Sequence, residues 1–339
     1  MPSQTRRNTL VDIAAEAGVS VSAVSKVLNG RTDVAADTRS RIAGLLRQHG
    51  YRVASRLGFG VVDLLIGSLY SPWAEELLRG TVEAANEVET SVVVTTVHSA
   101  DEFTAWLDQA TARGTAGALC VLHLPGSHEL QRLAAARIPL VVIDPPEEPG
   151  DGIRSVGTTN WLGGMTATRH LIELGHRRIA HVSGPDGLWA SRARLDGYRT
   201  AMQDAGLSID ERLIRRDDFS VPAGRMQARE LLSLPRPPTA IVAGNDSQAF
   251  GVLQAVGERG LRVPHDLSVV GFDDVPVASW AAPPLTTVRQ PLAAMAATAL
   301  RMLRSDPATA AGEPHHIELA TMLVVRESTA PPRVWPMII

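Results

Sequence analysis

Apolar residues recur along the chain with two different patterns, and the change of pattern divides it. Near the N-terminus the period is helical: Leu10, Ile13, Ala14 and Ala17 fall on one face, and Gly18 is a natural stop for that short helix. Val19 then enters the core, and Ser20 caps a second helix that carries Val24, Val27 and Leu28 on its inner side. Asn29-Gly30 ends it, because both residues tolerate a positive φ. A third helix is expected from about Ala35 to Gln48, with Ile42, Leu45 and Leu46 inward. Two short helices joined by a tight Ala-Gly-Val-Ser turn form a helix-turn-helix, the arrangement that carries its second helix into a DNA major groove.

From Val61 the pattern becomes short apolar runs alternating with amphipathic segments. VVDLLIG (61–67), interrupted by Asp63, reads as a strand, followed by a helix from Trp73 to about Val88, the strand SVVVTTV (91–97) and a helix near 101–112. The strand AGALCVL (116–122), a helix near 127–137 and the strand PLVVID complete this series. After DGIRSVGTT the pattern restarts with a helix from Trp161 to Leu174 and the strand RRIAHVSG. Further strands are expected near 212–217, at TAIVAG (239–244) and at LSVVGF (267–272), with helices near 191–205, 222–233, 246–259 and 291–305. Such βα alternation implies largely parallel sheets covered on both faces, here in two α/β lobes. Pro145, Pro146, Pro149 and Gly150 mark one chain crossing, and Pro283, Pro284 and Pro291 a second.

Length and composition fit this division. The 339 residues suffice for about two domains and a small third, and 45% hydrophobic content supports a sizeable core. A single cysteine, Cys120, excludes an internal disulfide and cysteine-rich zinc modules, as expected in a reducing compartment. No run approaches 18 apolar residues and the first ten residues are polar, so a cytoplasmic protein without a membrane partner is expected. The net charge of −3 conceals an asymmetry: residues 1–57 carry nine Lys or Arg against four acids, and the remainder carries 24 against 32. A basic head on an acidic body points the head at a polyanion.

On helix-turn-helix geometry, Ser20, Val21, Ser22, Ala23, Ser25 and Lys26 lie at the front of the second helix. Val21 and Ala23 suit a thymine methyl, Ser22 and Lys26 suit base-edge acceptors, and Thr9, Ser20, Ser25, Thr38 and Arg39 suit phosphates. A three-helix protein-binding module would share the small residues at the turn.

The run TLVDIAAEAGVSVSAVSKVLNG, from Thr9 to Gly30, followed by VAADTRSRI and HGY, resembles the DNA-binding headpiece of the lactose-repressor/galactose-repressor family, and the likeness extends to about Pro332. It implies a homodimer or tetramer on a near-palindromic operator, with DNA affinity changed by a sugar or other small metabolite bound in the body. It further implies that Val21, Ser22 and Lys26 read the operator, and that the body is periplasmic-binding-protein-like, threaded by three crossovers near 160, 290 and 320. The resulting domains are 1–57, headpiece and short hinge; 58–160 plus 291–320, the first lobe; 161–290 plus 321–332, the second; and 333–339, a tail. One departure concerns the hinge: Tyr51 is followed by RVASRLGFG without the family's Pro-Asn pair. Ala54 and Leu57 best match the pair that enters the minor groove as an apolar wedge.

In two-lobed α/β bodies, ligands lie beyond the carboxyl ends of the strands. Tyr70, Ser71 and Trp73 follow the first strand, Asp144 ends the fourth, and Asn160-Trp161 opens the second lobe. Trp189, Arg194, Phe219, Asn245 and Asp273 follow later strands. Carboxylate, guanidinium and amide groups suit vicinal hydroxyls, and aromatic faces suit the C–H faces of sugar rings, so Asp273, Arg194 and Asn245 are expected to bind polar groups beside Trp73, Trp161, Trp189 and Phe219. The resemblance adds that the arginine in ASRARLDGY, the asparagine in VAGNDSQAFG and the first aspartate in VVGFDDVPVASWAAPPLTTVRQP face effector. VVDLLIGSLYSPWAEELLRG is similar to actinobacterial regulators of plant-polysaccharide utilisation, which implies a xylo- or cello-oligosaccharide.

Catalysis finds no support. GxGxxG after the first strand, a Walker sequence, GxSxG and HExxH are all absent. His123/His128 and His315/His316 lack a third ligand nearby, so neither metal nor cofactor is expected, and His170 and His176 suit helix capping and packing. Alternatives are a sugar sensor without specific DNA binding, a constitutive architectural DNA binder, and a regulator answering a purine stacked on the aromatic residues.

Overall fold

A computed structural model describes residues 9–28, 34–49, 60–150, 152–305 and 315–333. The headpiece consists of α1 (Leu10–Ala17), α2 (Val21–Leu28) and α3 (Ala36–Gln48). Thr9 and Asp12 form a capping box at the start of α1, and Gly18, at φ 65°, turns the chain between α1 and α2. Ile13, Ala14, Ala17, Val24, Val27, Ile42 and Leu46 are buried together, with Leu28 and Leu45 half-buried at the edge. The Asn29-Gly30 stop and the hinge residues Ala54 and Leu57 lie outside the described residues, as does the tail beyond Arg333.

The first sheet is built from β1 (Val61–Ile66), α4 (Pro72–Glu87), β2 (Ser91–Thr96), α5 (Ala100–Arg113), β3 (Gly117–Val121), α6 (Ser127–Ala136), β4 (Leu140–Ile143) and β5 (Ser155–Thr158). The second uses α7 (Asn160–Glu173), β6 (Ile179–Ser183), α8 (Trp189–Asp204), β7 (Ile214–Arg216), α9 (Val221–Leu232), β8 (Ala240–Ala243), α10 (Asp246–Glu258), β9 (Ser268–Asp273) and β10 (Thr286–Arg289). The chain then returns through α11 (Leu292–Arg304) and β11 (His316–Leu319) before β12 (Met322–Val324). The strand orders are β11-β5-β4-β3-β1-β2 and β12-β10-β9-β8-β6-β7. All pairings are parallel except β10 with β12.

Helices cover both faces of each sheet, which is why the central strands read as unbroken apolar runs. The exception, Asp63, is fully buried but paired: Arg113 Nη2 donates to Oδ1 at 2.7 Å and Thr115 Oγ1 to Oδ2 at 2.6 Å. Three strands have no apolar run to announce them. In β5 and β10, hydroxyl groups take buried positions and bond to other elements, as Ser155 Oγ does to His316 Nδ1 of β11 at 2.8 Å and Thr287 Oγ1 to Asp246 Oδ1 of α10 at 2.6 Å.

The chain passes between sheets at three places: Thr159 between β5 and α7, Gln290-Pro291 between β10 and α11, and Ala320-Thr321 between β11 and β12. The first and third are tied together, Thr321 N–H donating to Thr159 Oγ1 at 2.9 Å. α11 packs its Leu292, Met295, Ala296 and Ala299 into the core of the first sheet. Among the described residues, no helix is long and apolar enough to cross a membrane.

Candidate functional site

Two regions carry the expected chemistry. In the headpiece, Val21 and Ser22 are exposed on α2, while Ala23, Ser25 and Lys26 are half-buried and Ala23 also packs on the three-helix core. Ser20 Oγ accepts from Ala23 N–H at 3.2 Å and so caps α2. Thr9 donates both its N–H and its hydroxyl to Asp12 Oδ2, at 2.7 and 2.8 Å. Thr38 and Arg39 are half-buried at the start of α3, with Arg39 Nη2 donating to Val34 O at 2.6 Å.

The second region is a cleft between the sheets, at the carboxyl ends of their strands. Its position depends on a close helix crossing. Gly164 of α7 and Gly197 of α8 face each other so tightly that a Cβ on the first would overlap the Arg194 carbonyl, and one on the second the Trp161 carbonyl. That contact sets the first turns of α7 and α8 side by side, bringing Asn160 and Trp161 next to Trp189 and Arg194.

Arg194 is the centre of the cleft. Its side chain is buried; Nε donates to Asn160 Oδ1 at 2.8 Å and Nη1 to Gly244 O at 2.7 Å. The guanidinium lies 3.8 Å from the Phe272 ring centroid and 5.7 Å from that of Phe219. Nη1 is 3.8 Å from Asp273 Oδ1, and Gln290 Nε2 donates to that same oxygen at 2.6 Å. Thr158 Oγ1 donates in turn to Gln290 Oε1 at 3.0 Å, so the network joins both sheets through a crossing segment.

Burial dominates the protonation of these groups. It pushes Asp273 up to about 7 against the pull of Arg194 and Gln290, and it raises Asp144 too, again opposed by Arg194. Asp246 lies well above the usual carboxylate range because it is buried and faces Asp273. Burial also lowers the Arg194 guanidinium, while Asp273, Asp144 and Asp246 hold it up. Asp144 and Asp273 have left-handed backbones, φ 51° and 113°, a conformation costing about 1–3 kcal/mol that persists where surrounding contacts enforce it.

The cleft divides into connected compartments. An inner one of about 120 Å³ is lined by Trp73, Asp144, Arg194, Phe219, Asn245 and Asp273 among others. A larger one of about 460 Å³ shares Asp144 and Ala190 with it and adds Asn160, Trp161, Trp189, His316 and Glu318. Tyr70 is fully exposed and lines, with Trp280, an outer hollow that shares Ser71 and Phe219 with the inner compartment. Asn245 reaches the inner compartment, but its amide is already used: Oδ1 accepts from Gln248 N–H at 2.8 Å and Nδ2 donates to Phe219 O at 3.3 Å. Asp246 and Asp274 organise their neighbours, the first by accepting from Val275 N–H and the second through Arg289 and Arg326.

Sequence reasoning missed Gln290, Thr158, His316 and Glu318, and gave Asn160 no contact. Gln290 sits in VRQP beside an expected crossing, which was a usable signal; His316 and Glu318 are the polar positions of β11, whose His-Ile-Glu-Leu alternation is only four residues long. Among the described residues, no group of three or more His, Cys, Asp or Glu is placed to hold a metal ion.

The model for bacterial regulatory proteins of the lacI family matches residues 9–53, and the one for a periplasmic binding protein-like domain matches residues 168–329. The HTH-type transcriptional regulator DegA of Bacillus subtilis (strain 168) is 32% identical over 337 residues, covering 96% of this chain and 99% of that protein. The chain belongs to the LacI family of transcriptional regulators. Two solved structures are similar to this LacI-family regulator over nearly its whole length. The transcriptional regulator CelR–cellobiose complex has a TM-score of 0.72 and 33% identity, covering 95% of this chain and 100% of that one. The lac repressor dimer bound to operator and the anti-inducer ONPF has a TM-score of 0.72 and 26% identity, covering 96% and 100%. The protein is thus a DNA-binding regulator and not an enzyme, and its α/β body carries the ligand cleft.

Proposed function

We propose that this regulator is a homodimeric repressor that occupies a near-palindromic operator in the cytoplasm and is released by a plant-derived sugar or oligosaccharide. The observation that carries the ligand class is the buried Arg194 guanidinium, held among Asp144, Asp246 and Asp273 and flanked by aromatic rings. Such a site offers directed donors and acceptors to vicinal hydroxyls and flat faces to sugar C–H surfaces. A buried hydroxyl partner left unpaired costs about 1–3 kcal/mol, so the same groups provide selectivity. The likeness to a CelR–cellobiose complex supports a glycan effector, and the likeness to a lac repressor dimer on operator supports a two-fold protein on a two-fold site.

In this mechanism Val21, Ser22 and Lys26 read bases from the major groove, with Thr9, Ser20, Ser25, Thr38 and Arg39 against phosphates. Ala54 and Leu57 of the two hinges meet in the minor groove. Sugar bound between the lobes favours an arrangement in which the hinges separate from DNA. A coupling of about 1–3 kcal/mol lowers operator affinity roughly 5–150-fold. The test is selection from random duplexes, repeated with a panel of plant oligosaccharides. A symmetric site that is lost with one sugar supports the whole proposal. A symmetric site indifferent to every sugar overturns the effector class, and no enrichment under any condition overturns sequence-specific repression.

A further inference from the structure

We propose that the cleft takes two sugar rings, one against Arg194 and the next in an outer subsite walled by Trp161, Trp189 and His316, so that the effector is a disaccharide or longer. This rests on the saccharide reading above. The inner compartment, at about 120 Å³, is smaller than the roughly 300–1,000 Å³ of ordinary ligand pockets, whereas the adjoining one, at about 460 Å³, falls within that range. Both are lined by Asp144 and Ala190, so a glycan can pass from one to the other along a shared wall.

The outer walls have the chemistry that a second ring requires. Trp161 and Trp189 stand on the first turns of α7 and α8, in the second lobe, while His316 comes from β11 of the first sheet. The Trp189 and His316 rings meet at 5.5 Å and 36°, making one aromatic corner contributed by both lobes. His316 lies over the bare Cα of Gly157, where a Cβ would come within 3.3 Å of its Cε1. Its Nδ1 is held by Ser155 Oγ at 2.8 Å, which leaves Nε2 buried without a hydrogen-bond partner among the described residues and 3.9 Å from Glu318 Oε1. Buried polar atoms are rarely left unsatisfied, and a sugar hydroxyl beside Nε2 and Glu318 satisfies this one. Because the corner spans both lobes, a second ring there ties them together, whereas a monosaccharide against Arg194 leaves the corner empty.

The experiment is calorimetric titration of the intact protein with glucose, galactose and xylose, each against its own 1,4-linked disaccharides, on wild type, His316→Ala and Trp161→Ala. Trp161 is 44% exposed, so its variant keeps the fold if the histidine variant does not. One disaccharide should bind wild type at least tenfold more tightly than its monosaccharide, and each variant should lower the disaccharide affinity at least tenfold more than the monosaccharide affinity. Equal affinities for one and two rings, or variants that weaken both alike, overturn the outer subsite while the saccharide reading stands. Binding of no sugar by wild type overturns the saccharide reading and the subsite together.

Discussion

Asp273→Asn should make the unliganded protein more stable and the ligand response weaker, with a pH dependence that identifies the cause. Asp273 is buried beside Asp144 and Asp246, and its carboxyl is pushed up to about 7 although Arg194 is close by. In the unfolded chain the same group titrates near 3.9. Between these values the folded protein holds a proton that the unfolded chain has lost, so stability falls as pH rises through this window and the full cost is present above about 7. The separation of about three units corresponds to about 4 kcal/mol at pH 8. Asparagine keeps the acceptor for Gln290 Nε2 but never ionises. The stabilisation from the substitution should therefore be about 2–3 kcal/mol greater at pH 8 than at pH 5, where the wild-type carboxyl is largely protonated when folded. Any pH-independent difference between a neutral acid and an amide cancels in that comparison. Urea denaturation of both proteins at the two pH values measures it, and a DNA-binding titration with effector should show a response weakened at least tenfold while unliganded operator affinity is preserved. A variant equally stabilised at both pH values, or less stable at pH 8, refutes the claim that burial raises the Asp273 carboxyl to about 7.

Three further outcomes test other parts of the molecule. Lys26→Ala should cost operator binding about 1–3 kcal/mol and relax base preference at one position while ligand affinity is unchanged, as read by anisotropy on a set of single-substituted duplexes. Gly197→Ala forces α7 and α8 apart at the Trp161 carbonyl; it should lower stability by about 1–3 kcal/mol and weaken effector binding with it, because the crossing aligns Arg194 and Trp161. His181 is buried against Tyr198 with neither ring nitrogen bonded among the described residues, and burial lowers its pKa to about 3. The unfolded chain takes up that proton from about pH 6.5 downward, so wild type loses stability as pH falls toward 3; His181→Phe should unfold at lower pH in an acid titration followed by circular dichroism.

Much of the architecture was legible because burial on both faces leaves a simple trace. LLIG, ALCV, LVVI and AIVA are short apolar runs between turn residues and read as strands covered by helices, and the helices between them carry apolar stripes. The polar strands were not legible. Ser155, Thr158, Thr286 and Thr287 are buried because their hydroxyls find partners far away in sequence, and such partners leave no local period. The same limit applied to the cleft: Trp161, Trp189, Arg194 and Asp273 could be picked from strand ends, but His316 reaches it from β11 and Gln290 from a crossing segment. Tyr70 was picked by the same reasoning, yet the turn after β1 leaves it fully exposed in the outer hollow, and it does not line the inner compartment.

By itself the sequence determined the local alternatives: which segments coil, which extend, where glycine turns the chain, and that a basic three-helix head precedes an acidic α/β body. These follow from side-chain size, polarity and backbone freedom within a few residues. Only the tertiary structure decided how 3.8 Å separates Arg194 from an aspartate 79 positions away, how Gln290 joins the two sheets, and how a histidine from β11 meets a tryptophan from α8. Those juxtapositions depend on helix crossings and on three passages of the chain between sheets. The energy of a buried charge depends on everything packed around it, and no neighbour along the chain records that.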